Sequence, residues 1–321
     1  MPTPAERQDA ILIVSGPWDP EAWAAAVRAR DPARQVVIWP DVPDAAAVRY
    51  ALAWRPPEGA LAALPNLKVI FSLGAGVDHI VFQKHLPDVP IVRVVNPDLT
   101  RRMTEGVTLQ VLMHHRRQRV YDQQQAKRRW RELPQPAAGE VRVGIMGLGV
   151  LGRDAAEVLI RLGFRVAGWS RRPVDLGGVE SFAGSDQLDA FLARTDILVS
   201  LLPLTRETRG ILSMPLFRKL ARDGALGRPV VINAGRGGLQ VEADIVAALD
   251  EGILGGVSLD VFEVEPLPAE SPLWLHPRVI VTPHAAAWSA PEALVPPILA
   301  QIAAYEAGEP LENIVDRGVQ Y

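Results

Sequence analysis

The chain contains no cysteine, and its 321 residues include only six histidines and 6% aromatic residues. The absence of cysteine excludes disulfides, thiolate nucleophiles and cysteine-ligated zinc or iron–sulfur centres. Long apolar runs are missing as well. The first run, Ile11–Val14, has four residues, too few for a signal-peptide core or a membrane span. We therefore expect a cytoplasmic protein without a membrane partner, whose chemistry depends on histidine, arginine, carboxylates, backbone amides or a borrowed cofactor.

A large excess of charge of one sign is also absent, because 34 lysines and arginines against 37 acidic residues leave a net charge of −3. This balance argues against a protein whose whole surface binds nucleic acid. The stretch from Arg101 to Arg131 is locally basic, with nine basic residues and two acidic ones. Because such a run is usually a solvated helix face, we expect no nucleic-acid partner.

Proline and glycine are frequent, with 28 and 26 residues, and they separate short apolar runs from helix-like stretches. At roughly 150 residues per domain, the length suggests two domains. Apolar runs bounded by turn residues are typical of buried parallel strands. In the first part of the chain such runs occupy 11–14, 36–39, 50–54, 68–73 and 91–95. Between the first two, Asp19 and Pro20 predict the capped start of a helix.

The stretch from Thr100 to Trp130 has few glycines and no proline, and it predicts one long helix. Six further strands are predicted at 141–146, 164–169, 197–202, 230–233, 256–260 and 279–282, with a last helix at 291–308. Strands that alternate with crossover helices predict an α/β fold with doubly wound parallel sheets.

A glycine motif directly follows the first strand of this second series: Gly147, Leu148, Gly149, Val150, Leu151 and Gly152, before a helix-like stretch. Gly147 permits the tight turn, Gly149 lets a pyrophosphate approach the backbone, and Gly152 lets the helix pack close to the strand. The helix N-terminus offers free N–H groups to the phosphates. The strand before and the helix after make a dinucleotide site the expected function of this motif.

The end of the next strand predicts which dinucleotide is bound. An NAD site has an acidic residue about 20 residues after the glycines, which accepts a hydrogen bond from the ribose 2′-OH. Here Ser170, Arg171 and Arg172 occupy this place, and the first acid is Asp175. A hydroxyl and two guanidinium groups suit a 2′-phosphate, so we expect NADP(H) to be preferred over NAD(H).

Three polar side chains, Arg236, Glu265 and His284, follow three further predicted strands. The carboxyl ends of parallel strands meet at one edge of a sheet, so these side chains are expected near the cofactor. The Arg can bind an oxo-acid carboxylate and polarise its carbonyl, and the His can protonate the developing alkoxide. The Glu can hold the imidazole in place. Taken singly, Arg236 could be an exposed turn residue and Glu265 part of a solvated loop. No metal site is expected.

Together these motifs resemble the D-isomer-specific 2-hydroxyacid dehydrogenase family, and within it the glyoxylate/hydroxypyruvate reductase branch. The resemblance covers nearly the whole chain and includes Phe71–Asp78, Gly147–Gly152, Trp169–Arg171, Leu201–Thr208, Asn233–Gly237, Leu259–Phe262, Glu265–Pro268, Ser271–Trp274 and Thr282–His284.

The resemblance implies roles for further residues. It makes Arg236, Glu265 and His284 the catalytic set, with Asp260 near the nicotinamide carboxamide. Cofactor contacts are also expected from Leu202, Pro203, Thr208 and Ala234. A glycine-rich turn is expected to offer N–H groups to the substrate carboxylate, and Trp54 to line the small pocket. The turn consists of Leu73, Gly74, Ala75, Gly76 and Val77.

The resemblance further implies two Rossmann-like domains, a discontinuous flavodoxin-like substrate domain at 1–99 plus 289–321 and an NADP-binding Rossmann domain at 100–288. Two crossing segments, near 98–103 and 286–292, would act as hinges. The basic stretch from Arg101 to Arg131 resembles the helical region that forms the dimer contact in this family, so a homodimer is expected. At Gly106, where this branch usually carries a larger residue, often Tyr, the packing is expected to be looser or the site wider.

The expected activity is NADPH-dependent reduction of short 2-oxo acids, glyoxylate and hydroxypyruvate, to glycolate and D-glycerate. One alternative is a dehydrogenase for another 2-hydroxy acid, or for phosphite or formate. The other is a dinucleotide-sensing binding protein, because the fold alone does not prove turnover.

Overall fold

The computed structural model describes residues 9–321. Residues 1–8, in the polar start where we expect no targeting signal, lie outside this range. The chain forms two compact units. One comprises the chain up to Leu99 together with Ser289–Tyr321, and the other is Thr100–Trp288. Both are α/β units with parallel sheets, as the sequence predicts.

The first unit contains a five-stranded parallel sheet in the order β2-β1-β3-β4-β5. This is the flavodoxin-like order, in which the chain reverses its direction across the sheet between β1 and β3. Its strands are β1 (Ala10–Val14), β2 (Val36–Ile38), β3 (Val48–Ala53), β4 (Val69–Ser72) and β5 (Ile91–Val92), and its helices are α1 (Pro20–Arg30), α2 (Asp78–Val81) and α9 (Pro291–Glu306).

Local sequence explains how two of these helices are held. The Asp19 carboxylate accepts a hydrogen bond from the Glu21 N–H at 3.0 Å and caps α1, as predicted. At the other end of the chain, Glu306 of α9 binds the buried Arg34 guanidinium through two bonds of 2.8 and 3.1 Å. Arg34 also lies 3.2 Å from Asp31. This paired, buried charge fixes the C-terminal helix to the first unit.

The second unit contains a seven-stranded parallel sheet in the order β12-β11-β10-β9-β6-β7-β8. The chain winds outward from β6 through β8 and then returns to the other side at β9, so the ends of β6 and β9 form the switch point where ligands bind in such sheets. Its strands are β6 (Arg142–Met146), β7 (Arg165–Ser170), β8 (Glu180–Ala183), β9 (Ile197–Ser200), β10 (Val230–Asn233), β11 (Gly256–Leu259) and β12 (Val279–Val281).

Helices cover both faces of this second sheet. One core cluster includes Phe191 and Phe217, and the other includes Val107 and Val111 of α3. The helices are α3 (Pro97–His115), α4 (Gln118–Ala126), α5 (Val150–Arg161), α6 (Leu188–Ala193), α7 (Met214–Phe217) and α8 (Glu242–Asp250). Between residues 9 and 321, none of the helices has both the length and the apolar character needed to cross a membrane.

The structure corrects two sequence expectations. The stretch from Thr100 to Trp130 is not one helix, because the backbone turns at Arg117, which has φ +56°, between α3 and α4. Helix α3 buries apolar residues against the core, whereas α4 buries none of its residues, so nothing holds the two in one line. The sheet also has a seventh strand, β8, whose exposed and half-buried residues lack the apolar run that marks the others.

Candidate active site

Three ionisable side chains lie at the carboxyl ends of three neighbouring strands of the second sheet. Arg236 follows β10, Glu265 follows β11 and His284 follows β12. Because all the strands are parallel, these ends share one edge of the sheet. The sequence prediction that these three residues follow strands of a common sheet is therefore met by the topology.

His284 and Glu265 form a direct pair. The imidazole Nδ1 lies 2.9 Å from the Glu265 Oε2 atom, and the two side chains are 29% and 15% exposed. The other carboxylate oxygen accepts a hydrogen bond from the Phe262 N–H at 3.1 Å, which fixes its orientation. Because Nδ1 faces Glu265, a substrate would exchange its proton with Nε2.

The backbone at His284 is held in an uncommon conformation. Its φ is +55°, in the left-handed region that residues other than glycine rarely adopt. The neighbouring N–H groups of Ala285 and Ala286 both donate to the Asp260 carboxylate, at 2.8 and 3.0 Å. The Thr282 hydroxyl donates to the same carboxylate at 2.6 Å. Asp260 therefore holds the segment on both sides of His284 in place.

Burial raises the pKa of the Asp260 carboxyl, and the hydrogen bonds from Thr282, Ala286 and Ala285 oppose this rise. Sequence reasoning assigned Asp260 to the cofactor and missed its contacts with this segment. It also gave no separate role to Thr282, which appeared only inside the Thr-Pro-His motif. The position of that motif directly after a strand was the available signal.

Arg236 lies in a loop whose backbone is fixed by a buried amide. Asn233 donates from Nδ2 to the carbonyl of Arg236 at 3.0 Å and accepts from the Gly235 N–H at 3.1 Å. The guanidinium Nη1 donates to the Gly235 carbonyl at 2.8 Å, and the side chain is half-buried. At this edge of the sheet, the Arg236 guanidinium can bind a carboxylate through two hydrogen bonds.

The glycine motif after β6 has the shape that a pyrophosphate requires. A Cβ at Gly152 would collide with the carbonyl oxygen of Gly147, so helix α5 needs glycine there. A Cβ at Gly149, in contrast, would have no neighbour within 4 Å, so its backbone is open to a ligand. The first turn of α5 contains no acidic residue, and its N-cap makes no side-chain hydrogen bond. Val150 and Leu151 begin this turn, and these features fit a bound dinucleotide phosphate.

The turn after β7 carries the expected selectivity residues. Arg171 and Arg172 are exposed, and the Ser170 hydroxyl donates to the Arg172 carbonyl at 2.6 Å. The Ser170 hydroxyl thus uses its proton to order the turn, and its oxygen can still accept a hydrogen bond. Two exposed guanidinium groups in one turn fit the 2′-phosphate of NADP.

The remaining predicted cofactor residues lie beside this motif. Leu202 and Pro203 follow β9, and the carbonyl of Leu201 would lie 2.9 Å from a Cβ at Gly147. The Thr208 hydroxyl donates to the Pro203 carbonyl at 2.7 Å and shapes the loop. The predicted cofactor residue after β10 is Ala234, which is buried. These residues border the switch point of the sheet, where the fold binds ligands.

In the first unit, the glycine-rich turn of residues 73–77 follows β4. The Leu73 N–H donates to the Ala53 carbonyl at 3.0 Å, and the Gly74 N–H lies 3.3 Å from the Ser72 hydroxyl oxygen. Two of the five predicted donors are therefore used internally. Of the turn's described residues, Ala75, Gly76 and Val77 keep their N–H groups for a ligand.

Trp54 is 5% exposed and lies beneath this turn. Its indole stacks on Trp18, with ring centroids 4.8 Å apart, and contacts His79 at 4.3 Å. A Cβ at Gly74 would collide with the Trp54 ring. The predicted role of Trp54 as a pocket wall stays a prediction, and the structure adds that this ring supports the turn.

A cavity of about 110 Å³ lies in the second unit between α3 and the ends of β10 and β11. Gly106, Asp260 and Ala286 are among its lining residues. Beside it, Ser258 donates to Gln110 at 2.7 Å and lies 2.8 Å from Nε2 of His114. Burial lowers the pKa of His114 to about 4, so this imidazole is neutral at pH 7.

Comparison with known proteins gives the family. The profile of the D-isomer specific 2-hydroxyacid dehydrogenase NAD-binding domain matches residues 108–286. A glyoxylate/hydroxypyruvate reductase A of Serratia proteamaculans is 42% identical over 302 residues, covering 92% of this chain and 95% of that protein. The chain belongs to the D-isomer-specific 2-hydroxyacid dehydrogenase family.

Solved structures of this family are similar over almost the full length. An NADPH-dependent glyoxylate/hydroxypyruvate reductase from Sinorhizobium meliloti, in complex with NADP and sulfate, has a TM-score of 0.93 and 50% identity, covering 98% of this chain and 100% of that one. A family member from Xanthobacter autotrophicus Py2, in complex with NADPH and MES, has a TM-score of 0.91 and 42% identity, covering 98% and 99%. The expected dehydrogenase fold is thereby confirmed.

Proposed function

We propose that this protein is an NADPH-dependent reductase of short 2-oxo acids, which converts glyoxylate to glycolate and hydroxypyruvate to D-glycerate. The observation that carries the proposal is the His284–Glu265 pair, 2.9 Å apart, on the same edge of the sheet as Arg236 and the dinucleotide motif that follows β6. The names of the similar reductases support the same substrates and cofactor.

The three proposed catalytic side chains have different roles in this reaction. NADPH, when bound, supplies the hydride that reduces the carbonyl carbon. Arg236 binds the substrate carboxylate and polarises the carbonyl, because a fixed guanidinium stabilises the developing negative charge. His284 donates the Nε2 proton to the carbonyl oxygen, and Glu265 keeps the ring oriented through Nδ1. The N–H groups of Ala75, Gly76 and Val77 add neutral donors for the carboxylate.

The assignment of tasks to the two units is also part of the proposal. Thr100–Trp288 acts as the NADP-binding domain, and the chain up to Leu99 with Ser289–Tyr321 acts as the substrate domain. The hinges near 98–103 and 286–292, the homodimer and the cytoplasmic location stay predictions.

The test is a substrate panel with NADPH and NADH as alternative cofactors. We expect NADPH consumption with glyoxylate and hydroxypyruvate, and products identified as glycolate and D-glycerate. Higher activity with a bulkier 2-oxo acid would instead favour a dehydrogenase for another 2-hydroxy acid. The cavity beside Gly106 is the observation that bears on this alternative. Tight NADPH binding without turnover of any 2-oxo acid would favour a dinucleotide-sensing protein.

Arg171→Ala tests the cofactor preference. A charge-assisted hydrogen bond contributes about 1.5–3 kcal/mol, so kcat/KM with NADPH should fall by about 10- to 150-fold while kcat/KM with NADH stays unchanged. Arg218→Ala removes an exposed arginine of the same unit and serves as the control. Equal losses with both cofactors, or none, would remove Arg171 from the 2′-phosphate site.

A further inference from the structure

Helix α3 comes unusually close to the segment that follows His284, and it does so at Gly106. A Cβ on Gly106 would lie 2.9 Å from the carbonyl oxygen of Ala286 and 3.3 Å from its Cα. Both atoms belong to the backbone, so no side-chain rotation could relieve the contact. Glycine is a poor helix former, and its presence inside α3 is explained by this close approach.

Neither side of this contact is free to move away. Ala285 and Ala286 are bound on their other side by the Asp260 carboxylate, through hydrogen bonds of 2.8 and 3.0 Å. Helix α3 is anchored by the fully buried Val107 and by the Thr104 hydroxyl, which donates to Asp154. The segment is therefore enclosed between a carboxylate and a helix backbone.

The segment packs on α3 both through the core and through the contact at Gly106. Ala286 and Ala287 pack against the core cluster that contains Val107 and Val111, and a cavity of about 110 Å³ lies beside this contact. Where the two backbones meet, the absence of a Cβ on Gly106 sets how near the Ala286 carbonyl can stand to α3. Because His284 directly precedes it, any displacement of this segment is passed to the imidazole.

We infer that Gly106 is a positioning residue, which acts through Ala286 to set the orientation of His284 towards Glu265. The inference rests on the proposed function only for its kinetic readout. A displacement of a few tenths of an ångström should lower kcat by about tenfold, since a shift of 1 Å can cost about 100-fold.

The experiment compares Gly106→Ala with Gly177→Ala, a glycine of the same unit whose added Cβ would meet nothing within 4 Å. Two quantities are measured: kcat with glyoxylate, and the hydrogen-exchange rates of the Ala285 and Ala286 amides in the free protein. In Gly106→Ala we expect kcat about tenfold lower. We also expect faster exchange at these two amides, with unchanged rates in β10. Gly177→Ala should match the wild type in both.

Two results would overturn the inference. One is a kcat and amide exchange rates in Gly106→Ala that stay within about twofold of the wild type. The other is faster exchange throughout α3 and β10 with a lowered Tm, because this indicates a packing defect alone. If Gly106→Ala does not fold, Ala286→Gly leaves α3 unchanged and must accelerate exchange at the same two amides. If the wild type reduces no 2-oxo acid, the proposed function fails, but the exchange data still decide the role of Gly106.

Discussion

Two glycine-rich turns follow buried parallel strands in this protein, one in each unit, and they are built differently. The turn at 73–77 is closed by its own contacts: Ser72 binds the amide of Gly74, and the Trp54 ring fills the space beneath it. The turn at 147–152 is open, since a Cβ on Gly149 would meet nothing within 4 Å. The helices that follow also differ, with four residues in α2 and twelve in α5.

The difference indicates what each turn can bind. A helix of four residues has little dipole, so the first turn offers a small anion only its three remaining N–H groups. The second turn combines open backbone with the N-terminus of a full helix, which suits an extended pyrophosphate. Neither turn supplies a proton donor, and we propose that the acid–base chemistry lies with His284 and Glu265.

The largest expected effect is the loss of kcat in a variant that leaves both turns unchanged. His284→Ala should lower kcat by about 10²- to 10⁴-fold, because a positioned general acid is lost. NADPH affinity, measured by fluorescence titration, should be unchanged since neither turn is altered. The exposed His85, replaced by Ala, is the control and should keep full activity. A normal kcat in His284→Ala would mean that another group protonates the substrate.

Closing the open turn should have the next largest effect. In Gly152→Ala the new Cβ collides with the Gly147 carbonyl oxygen, so the turn and α5 must separate. We expect the Kd for NADPH to rise by about 100-fold, because the phosphate donors are displaced. Isothermal titration measures it, with Gly177→Ala as the matched control. An unchanged Kd would show that this turn does not hold the cofactor.

The same substitution in the closed turn should have a smaller effect on a different ligand. In Gly74→Ala the added Cβ meets the Trp54 ring, a side chain that can shift more readily than backbone. We expect KM for glyoxylate to rise by about tenfold and the Kd for NADPH to stay constant. Steady-state kinetics with saturating NADPH measure the first. A rise confined to the NADPH constant would contradict the division of tasks between the turns.

The smallest effect on activity is expected for His114, another histidine of the second unit, whose replacement should change stability instead. The folded-state pKa of His114 is about 4, against 6.5 for an unperturbed imidazole. The unfolded chain binds the extra proton between these values, so stability is complete above pH 6.5 and decreases as pH falls towards 4. The free energy of unfolding should drop by up to about 3 kcal/mol more in the wild type than in His114→Gln. Urea titrations at several pH values in this range measure the free energy of unfolding of both proteins. If the two plots of this free energy against pH are parallel, His114 does not cause the pH dependence.

Much of the fold followed from the sequence, because buried parallel strands are short apolar runs between turn residues. Strand β8 was missed since, at the sheet edge, it buries little and has no such run. The break between α3 and α4 was missed because it occurs without glycine or proline, at an arginine with φ +56°. Propensity alone does not show where a helix loses contact with the core.

The candidate site was predicted to a similar extent. Motif spacing placed Arg236, Glu265 and His284 after strands, and the parallel sheet then put them on one edge. The hydrogen bonds that Asp260 accepts from the segment after His284 and the close approach of Gly106 were not visible, since both depend on contacts between residues far apart in the chain. A sequence pattern reports local periodicity and not such distances.

The central claim is that the open turn and the His284–Glu265 pair together carry out NADPH-dependent reduction of a short 2-oxo acid. Its most direct measurement is the rate of NADPH oxidation with glyoxylate by the wild type and by His284→Ala at equal cofactor saturation. We predict rapid oxidation with glycolate as the product for the wild type, and a rate about 10²- to 10⁴-fold lower for the variant. No glycolate from the wild type, or equal rates for the two proteins, would contradict the account.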